Sequence, residues 1–244
     1  MSPSASYIDV NALMRGLVHE LRNPLSAILT AASLLQSDQE LDEESVMLID
    51  VVQKESRRMN RILTEFSSFV KPPTSHPEPF DITKTLRDLT REMQKEGALG
   101  SHIELRDELP TQLMVFADPI QSYQALQHIF TNAAQAMENG GTLALHTQNE
   151  GENAVIILED NGAGLSESAL ERAFQPFFST KATATGLGLS IAGGLLRASG
   201  GGILVENRDL PHGLPRDSSQ VQSHGARVRV HLPRAENAAN PNSP

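Results

Sequence analysis

The sequence has no cysteine, which excludes disulfide frameworks and thiolate metal sites. It has no apolar window approaching about 18 residues and no basic segment leading into an apolar run, so neither a membrane span nor a secretory signal is expected. Basic residues are scarce: 20 Lys and Arg face 30 Asp and Glu, giving a formal net charge of −10. This balance argues against nucleic-acid binding through phosphate neutralisation but permits a local nucleotide site. The 244 residues are 39% hydrophobic, which suffices for a folded core, and we expect a cytoplasmic protein.

Two apolar runs near the N-terminus have helical spacing, the first over residues 8–36 and the second reaching residue 70. Their short polar connection predicts an antiparallel helical hairpin. The seam positions are Met14, Leu17, Leu21, Leu25, Ile28, Ala32 and Leu35, then Ile49, Val52, Ser56, Met59, Leu63, Phe66 and Val70. One hairpin cannot bury both seams alone, so we expect a homodimer that forms a four-helix bundle; the alternative is a hairpin packed on the rest of its own chain.

A proline-rich segment, residues 71–80, separates this hairpin from a region whose sequence pattern predicts both helices and strands. Its four prolines in ten residues predict a linker and a domain boundary. Helices are expected at 82–97, 119–138 and about 187–199, and strands at 102–109, 111–118, 141–148, 153–160, 202–206 and 226–232. The sequence therefore predicts an α+β protein: a hairpin domain at 8–70, a linker at 71–80, a two-layer α/β sandwich at 81–234 and a disordered tail at 235–244.

The segment 158–165, LEDNGAGL, ends an apolar strand with a carboxylate and two glycines. Asp160 at such a strand end can accept a hydrogen bond from an exocyclic amine such as that of adenine. Gly162 and Gly164 would let the backbone approach a flat ligand closely. A glycine-rich turn with a capping aspartate is the alternative.

Two other motifs are compatible with a phosphate-bearing ligand. Gly186 and Gly188 precede a predicted helix, whose free N–H groups and dipole could bind an anion, although ordinary helix capping would also explain them. The pattern matches neither the P-loop nor the dinucleotide-binding fingerprint. Asn132 lies inside an apolar helix, where its carbonyl oxygen could hold a divalent cation; a buried Asn bonded to backbone is equally consistent.

Taken together and in order, these motifs resemble the N, G1, F and G2 boxes of the sensor histidine kinases, within the wider GHKL ATPase group. The matching residues are Asn132; Asp160, Gly162 and Gly164; Phe174, Phe177 and Phe178; and Gly186 and Gly188. HELRNPL, residues 19–25, resembles the H box, and HGARVRVHLP, residues 224–233, the family's closing strand. The similarity covers about residues 10–234, and FQPFFSTK is closest in form to nitrogen-regulator-like soluble kinases.

The resemblance implies ATP-dependent autophosphorylation of His19. In the family, the adjacent acid, here Glu20, accepts a proton from one imidazole nitrogen while the other attacks the γ-phosphate of ATP. Mg²⁺, held through Asn132, neutralises phosphate charge. The phosphoryl group then passes to an aspartate of a response-regulator receiver domain. Asn23 would orient a water that hydrolyses the receiver's acyl phosphate, so the resemblance also implies a receiver phosphatase.

The helix containing His19 fits this chemistry. His19 and Asn23 are four residues apart and share a helical face, and His19 is about 200° around the helix from Leu21, away from the seam. Pro24 should bend the helix just after the histidine. Because residue 23 is Asn, the zinc motif H-E-x-x-H is absent and no zinc is expected.

The ATP lid is expected to be small. Lys181 stands at its start and could meet a phosphate, while the three phenylalanines would pack its base rather than touch nucleotide. Ala184 stands where the family often has a glycine, which would stiffen the lid. An insertion at residues 207–224 is longer than the fold requires and predicts a mobile loop.

His128 is the main departure from the family pattern, because an Asn usually stands four residues before the residue matching Asn132. It puts metal affinity and turnover in question and favours the main rival, a non-catalytic phosphotransfer or scaffold dimer with a degenerate ATP domain. A serine kinase resembling the anti-sigma kinases is a third interpretation, but that class lacks the hairpin and its His. Seven residues before the first predicted helix cannot form a sensor, so the chain is a fragment or takes its input from a separate sensor protein, which we favour.

Overall fold

The computed structural model describes residues 10–36, 41–70, 74–181, 184–208 and 225–238. Its contacts divide the chain into two compact units, Met1–Pro73 and Thr74–Pro244. Most of the predicted insertion at 207–224 and the last six residues lie outside the described residues.

The first unit is a hairpin of two long helices, α1 (Val10–Gln36) and α2 (Glu43–Val70). The Nη2 of Arg22 donates to Thr64 and the Nε2 of Gln36 donates to Asp50, so α1 and α2 run antiparallel. Asp42 caps the start of α2, because its Oδ1 accepts the backbone N–H of Ser45 at 2.8 Å. The predicted helical hairpin is confirmed.

Among the residues that the structure describes, the hairpin buries part of its predicted seam and leaves another part exposed. In α1, Val18, Leu25 and Ala32 are buried at a spacing of seven residues. The exposed large apolar side chains of the seam are Leu21, Ile28, Leu35, Val52 and Met59. Two interleaved heptad rows therefore exist on α1: one packs within the hairpin, and the other presents an apolar face.

The second unit contains a mixed sheet and five helices among the described residues. Its strands are β1 (Glu78–Asp81), β2 (Ile103–Glu108), β3 (Met114–Ala117), β4 (Gly141–Glu150), β5 (Asn153–Asp160), β6 (Gly202–Asn207) and β7 (Ala226–Pro233). Its helices are α3 (Ile82–Lys95), α4 (Pro119–Ala136), α5 (Glu167–Arg172), α6 (Gly188–Ala198) and α7 (Ala235–Ala238). The main sheet has the order β2-β4-β5-β7-β6, with β2 and β4 parallel and the other neighbours antiparallel; β1 and β3 form a separate antiparallel pair. The predicted α+β class is confirmed.

The core of this unit surrounds the central strand β5, in which residues 154–158 are all buried. Helices α3, α4 and α6 each bury an apolar stripe, which includes Leu86, Phe130 and Leu195 respectively. Burying each such side chain contributes about 1.5–3 kcal/mol, so this packing fixes the ends of β5, α4 and α6 on which the site depends.

Two local predictions need correction, and one helix was not predicted. The linker predicted at 71–80 is wrong for residues 78–80, which belong to β1; Pro79 is tolerated because β1 has only one partner strand, β3. The disordered tail predicted at 235–244 is wrong for Ala235–Ala238, which form α7 after the N–H of Arg234 bonds to the carbonyl of Glu152 at 3.0 Å. Helix α5 was not predicted; Ser166 caps it by accepting the N–H of Ala169.

Candidate functional site

Helix α4 carries one wall of the candidate site, and its start is held by a capping carboxylate. Asp118 accepts the N–H groups of Ile120 and Gln121 at 2.9 and 3.0 Å, and Pro119 occupies the first turn. Along α4, His128, Asn132 and Ala136 recur every four residues, so they lie on one face. With a rise of about 1.5 Å per residue, that row extends for about 12 Å.

At one end of this row, His128 and Asn132 face the first residue of α6. A Cβ on Gly188 would lie 3.6 Å from Nδ1 of His128, and 3.7 and 3.9 Å from Nδ2 and Oδ1 of Asn132. Leu187, which precedes α6, provides no capping side chain. The start of α6, where backbone N–H groups have no partner within the helix, thus lies beside an imidazole and an amide, a combination suited to an anion with its cation.

At the other end, Asp160 closes β5 and is buried, with 5% of the residue exposed. Its Oδ1 accepts the N–H groups of Gly162 at 2.9 Å and Ala226 at 3.2 Å. Within the described parts of the chain, no group donates to Oδ2. That oxygen is therefore available as an acceptor for a ligand amine.

Burial raises the pKa of Asp160 above its ordinary value, because desolvation disfavours the carboxylate. The N–H groups of Gly162 and Ala226, and the charges of Arg208 and Lys181, oppose this shift without cancelling it. Arg208 also donates to the carbonyl of Asp160 at 3.3 Å. Asp160 is thus fixed through its backbone and through one carboxylate oxygen.

The glycines after Asp160 permit a close approach to α4. A Cβ on Gly162 would come 2.5 Å from the carbonyl oxygen of Ala136 and 2.9 Å from its Cβ, so only glycine fits. Gly164 has φ +66°, a conformation in which glycine is favoured. This loop therefore reaches the last turn of the same α4 face on which His128 and Asn132 stand.

Gly186 packs against the phenylalanine motif. A Cβ there would lie 2.5 Å from the carbonyl carbon of Phe177 and 2.6 Å from the carbonyl oxygen of Phe178, and its φ is +72°. The ring of Phe178 stacks under the guanidinium of Arg172 at 4.1 Å, and Phe174 lies near Gly193. Phe177 is 61% exposed as a residue, so the prediction that it packs the base of a lid is wrong.

Lys181 is half-buried and lies within electrostatic range of Asp160 and Glu138. Burial lowers the pKa of Lys181, while the charges of Glu138 and Asp160 act in the opposite direction. The ammonium of Lys181 thus interacts with the charges of these two carboxylates, and the phosphate contact suggested by the sequence stays a prediction.

Sequence reasoning missed Glu138, Arg208 and Gly225. A Cβ on Gly225 would overlap the carbonyl oxygen of Asp160, so this position requires glycine. A glycine directly before a strand was a usable signal for such a close approach. Glu138 and Arg208 offered none, because only the folded chain brings them to Lys181 and Asp160.

In the other unit, His19, Glu20 and Asn23 all belong to α1. Glu20 and Asn23 are exposed, whereas Val18 and Leu25 on the same helix are buried. The His19 side chain lies outside the described part, so its outward orientation stays a prediction. The helix continues through Pro24.

Two features are absent from the residues that the structure describes. No group of three or more His, Asp or Glu side chains there could hold a metal ion. A cation at the His128–Asn132 end would therefore need oxygen ligands from a phosphate-bearing ligand as well, and the residues present fit such a shared site. Of the helices described, none is both long and apolar enough to cross a membrane.

Comparisons with known proteins identify both units. Residues 9–74 match the family model for the His Kinase A (phospho-acceptor) domain, and residues 117–236 match the one for the histidine kinase-, DNA gyrase B- and HSP90-like ATPases. The sensor histidine kinase ZraS of Escherichia coli O157:H7 is 30% identical over 237 residues, which are 96% of this chain and 48% of ZraS. The chain spans about half the length of the ZraS proteins it matches.

Two solved structures share the fold. Full-length ShkA in complex with AMPPNP superposes with a TM-score of 0.74 at 22% identity, over 92% of this chain and 46% of ShkA. The histidine kinase ThkA in complex with the response regulator protein TrrA superposes with a TM-score of 0.65 at 21% identity, over 92% of this chain and 61% of the ThkA chain. With a phospho-acceptor hairpin followed by an ATPase unit, this chain belongs to the sensor histidine kinase family.

Proposed function

We propose that this chain is a protein histidine kinase that phosphorylates His19 with ATP and passes the phosphoryl group to an aspartate of a response-regulator receiver domain. The observation that carries the proposal is the α4 face, which has Asn132 and the start of α6 at one end and the Asp160–Gly162 loop at the other. Its length of about 12 Å suits a nucleotide that spans from base to terminal phosphates.

At this site, Oδ2 of Asp160 accepts the exocyclic amine of adenine, and Gly162 and Gly164 allow the ring to lie against the backbone. The N–H groups at the start of α6, near Gly188, bind the phosphates. Asn132 contributes an amide oxygen to the cation of the nucleotide. Mg²⁺, when bound, would neutralise charge on the phosphates.

The reaction requires a nitrogen nucleophile on the hairpin. One ring nitrogen of His19 forms a bond to the γ-phosphorus, and the bond from that phosphorus to the bridging oxygen breaks, releasing ADP. The Glu20 carboxylate accepts the proton from the other ring nitrogen, which raises the nucleophilicity of the first. Glu20 is exposed on α1, which leaves it accessible for this role.

The phosphohistidine then serves as the donor to a receiver aspartate. The complex of the histidine kinase ThkA with the response regulator protein TrrA supports this class of partner. Asn23, exposed one turn after His19, would hold a water for hydrolysis of the receiver's acyl phosphate. We therefore include a receiver phosphatase activity in the proposal.

We also propose that the hairpin dimerises. Its uncovered row of Leu21, Ile28 and Leu35 repeats every seven residues, and Val52 and Met59 repeat likewise on α2. A second copy would bury both rows as a four-helix bundle. ATP, the proposed phosphoryl donor, and the proposed receiver domain are intracellular molecules, so we place the activity in the cytoplasm.

A non-catalytic scaffold is the second candidate, and His128 is the observation that favours it. Nucleotide binding distinguishes the kinase from the scaffold. We expect the purified chain to bind ATP in the presence of a divalent cation, measured by calorimetry. An intact dimer that binds no ATP with any cation would support the scaffold instead.

A further inference from the structure

His128 lies at the proposed phosphate end of the site, one helical turn before Asn132 on the same face of α4. Its Nδ1 lies 3.6 Å from the point where a Cβ of Gly188 would stand, and the amide of Asn132 is at a similar distance from that point. Two side chains one helical turn apart, one ending in nitrogen and one offering an amide oxygen, therefore border the same small space.

His128 is not part of the hydrophobic core. Its neighbours Ile129 and Phe130 are fully buried, while His128 and Asn132 are partly exposed on the adjacent face of α4. The imidazole is thus partly exposed beside Gly188. A buried structural histidine would instead be enclosed by the apolar side chains of this helix.

Imidazole and amide differ in the metals they favour. Mg²⁺ is a hard cation that prefers oxygen ligands, whereas the divalent transition ions also accept imidazole nitrogen, weakly for Mn²⁺ and more strongly for the ions that follow it in the first transition row. Since no described cluster could hold a metal by itself, the cation arrives with the nucleotide and the side chains select among such complexes.

We propose that His128 gives the nucleotide-bound cation a nitrogen ligand. This kinase would then favour Mn²⁺ and similar transition ions over Mg²⁺ more strongly than the same chain with Asn at position 128. The inference rests on the proposed ATP-binding function and adds the metal class to it. His128 acts with Asn132, whose amide oxygen completes the protein's share of the ligands.

The first test compares nucleotide affinities. Dissociation constants for the β,γ-methylene analogue of ATP are measured by calorimetry with saturating Mg²⁺ or Mn²⁺, for the unmodified chain and for His128→Asn. We expect the Mn²⁺-over-Mg²⁺ preference to fall by on the order of tenfold in His128→Asn. Gln127→Asn, which introduces the same residue at the neighbouring exposed position, should leave the preference unchanged.

The second test identifies the ligand atom. Pulsed electron paramagnetic resonance of the Mn²⁺ complex is recorded with protein that carries ¹⁵N only in histidine; the methylene analogue has no bridging nitrogen to confuse the signal. We expect a ¹⁵N coupling that disappears in His128→Asn.

Three outcomes would overturn the inference. An equal metal preference in the two proteins, or a Mn²⁺ complex without histidine coupling, would exclude His128 as a ligand while leaving ATP binding intact. Absence of nucleotide binding with every cation would remove the proposed function and this inference together.

Discussion

Oδ2 of Asp118 accepts the backbone N–H of His76 at 2.8 Å, while Oδ1 of the same carboxylate caps α4. The hydroxyl of Ser199, at the end of α6, bonds with that of Ser75 at 3.2 Å and accepts the N–H of Asp118 at 3.4 Å. The segment that follows the hairpin is therefore fastened to α4 and α6, the two helices that border the phosphate end of the site.

Replacement of Asp118 by Asn should separate these two roles. The amide oxygen can still cap α4, but the amide nitrogen would face the N–H of His76 and leave that donor unpaired. We expect a loss of about 1–3 kcal/mol in the free energy of unfolding, measured by urea denaturation. Burial alone would raise the pKa of Asp118, but the N–H groups of Gln121, His76 and Ile120 outweigh it and lower the pKa.

The sign of this pKa shift predicts the pH dependence of that loss. Because the folded-state pKa lies below the ordinary value of 3.8, the carboxylate stabilises the fold above that value, and the benefit is lost as pH falls through the folded pKa. The difference between the unmodified chain and Asp118→Asn should therefore shrink on acidification. A difference that stayed constant down to low pH would contradict this account.

Asp160→Asn should weaken nucleotide binding without weakening the fold. The Asn oxygen can still accept the N–H groups of Gly162 and Ala226, but an NH₂ group would replace Oδ2 and face the donor amine of adenine. Loss of a charge-assisted hydrogen bond costs about 1.5–3 kcal/mol, or roughly ten- to a hundredfold in affinity, measurable by calorimetry.

The stability of the same variant provides its control. Burial raises the pKa of Asp160 above 3.8. Ionisation of this carboxyl therefore destabilises the folded state as the pH rises from 3.8 through the raised pKa. Asn carries no such cost. Asp160→Asn should therefore be at least as stable as the unmodified chain at pH 7, with a smaller advantage at pH 3. A variant that bound nucleotide normally would exclude Asp160 as the adenine contact.

Gly162→Ala should disrupt the site because its Cβ would collide with the backbone of Ala136. The loop would have to move away from α4, which lowers both nucleotide affinity and unfolding temperature. Gly194→Ala is the matched control: nothing lies within 4 Å of its Cβ position in α6, so helix propensity should stabilise it by about 0.5–1 kcal/mol. Full nucleotide binding by Gly162→Ala would show that the close approach is dispensable.

The double substitution Ile28→Asp and Leu35→Asp should abolish the proposed dimer. Both side chains are exposed in the hairpin, so carboxylates there would be solvated in a monomer but buried in a four-helix bundle. Sedimentation equilibrium should report a monomer, and circular dichroism should show that the helical content is retained. Thr30→Asp, which places the same charge on the far side of α1, should remain dimeric; dissociation of both variants alike, or of neither, would argue against this interface.

Helical periodicity predicted the hairpin because α1 and α2 are long and their apolar spacing is regular. The same pattern could not divide its seam, since only packing reveals that Leu25 is covered within the hairpin while Ile28 is left exposed. The prolines of residues 71–80 predicted a linker, so β1 was not predicted. Proline disfavours most strands but is permitted in a strand with a single partner.

The local motifs of the site could be predicted from the sequence, whereas its electrostatic interactions could not. Asp160 and Gly162 are close in the sequence, so a turn that brings them together could be predicted. The environment of Lys181 could not, because Glu138 and Asp160 come from separate elements and meet it only in the folded unit. The apposition of His128 to Gly188 likewise depends on how α4 packs against α6.

Phosphorylation by [γ-³²P]ATP tests the central claim most directly. The purified chain is incubated with labelled ATP and either Mg²⁺ or Mn²⁺, alongside His19→Gln, and nucleotide binding is verified for both proteins. We predict label on the unmodified chain that is lost in acid and stable in base, and none on His19→Gln. Equal label on both proteins, or none on either with any cation, would contradict the account.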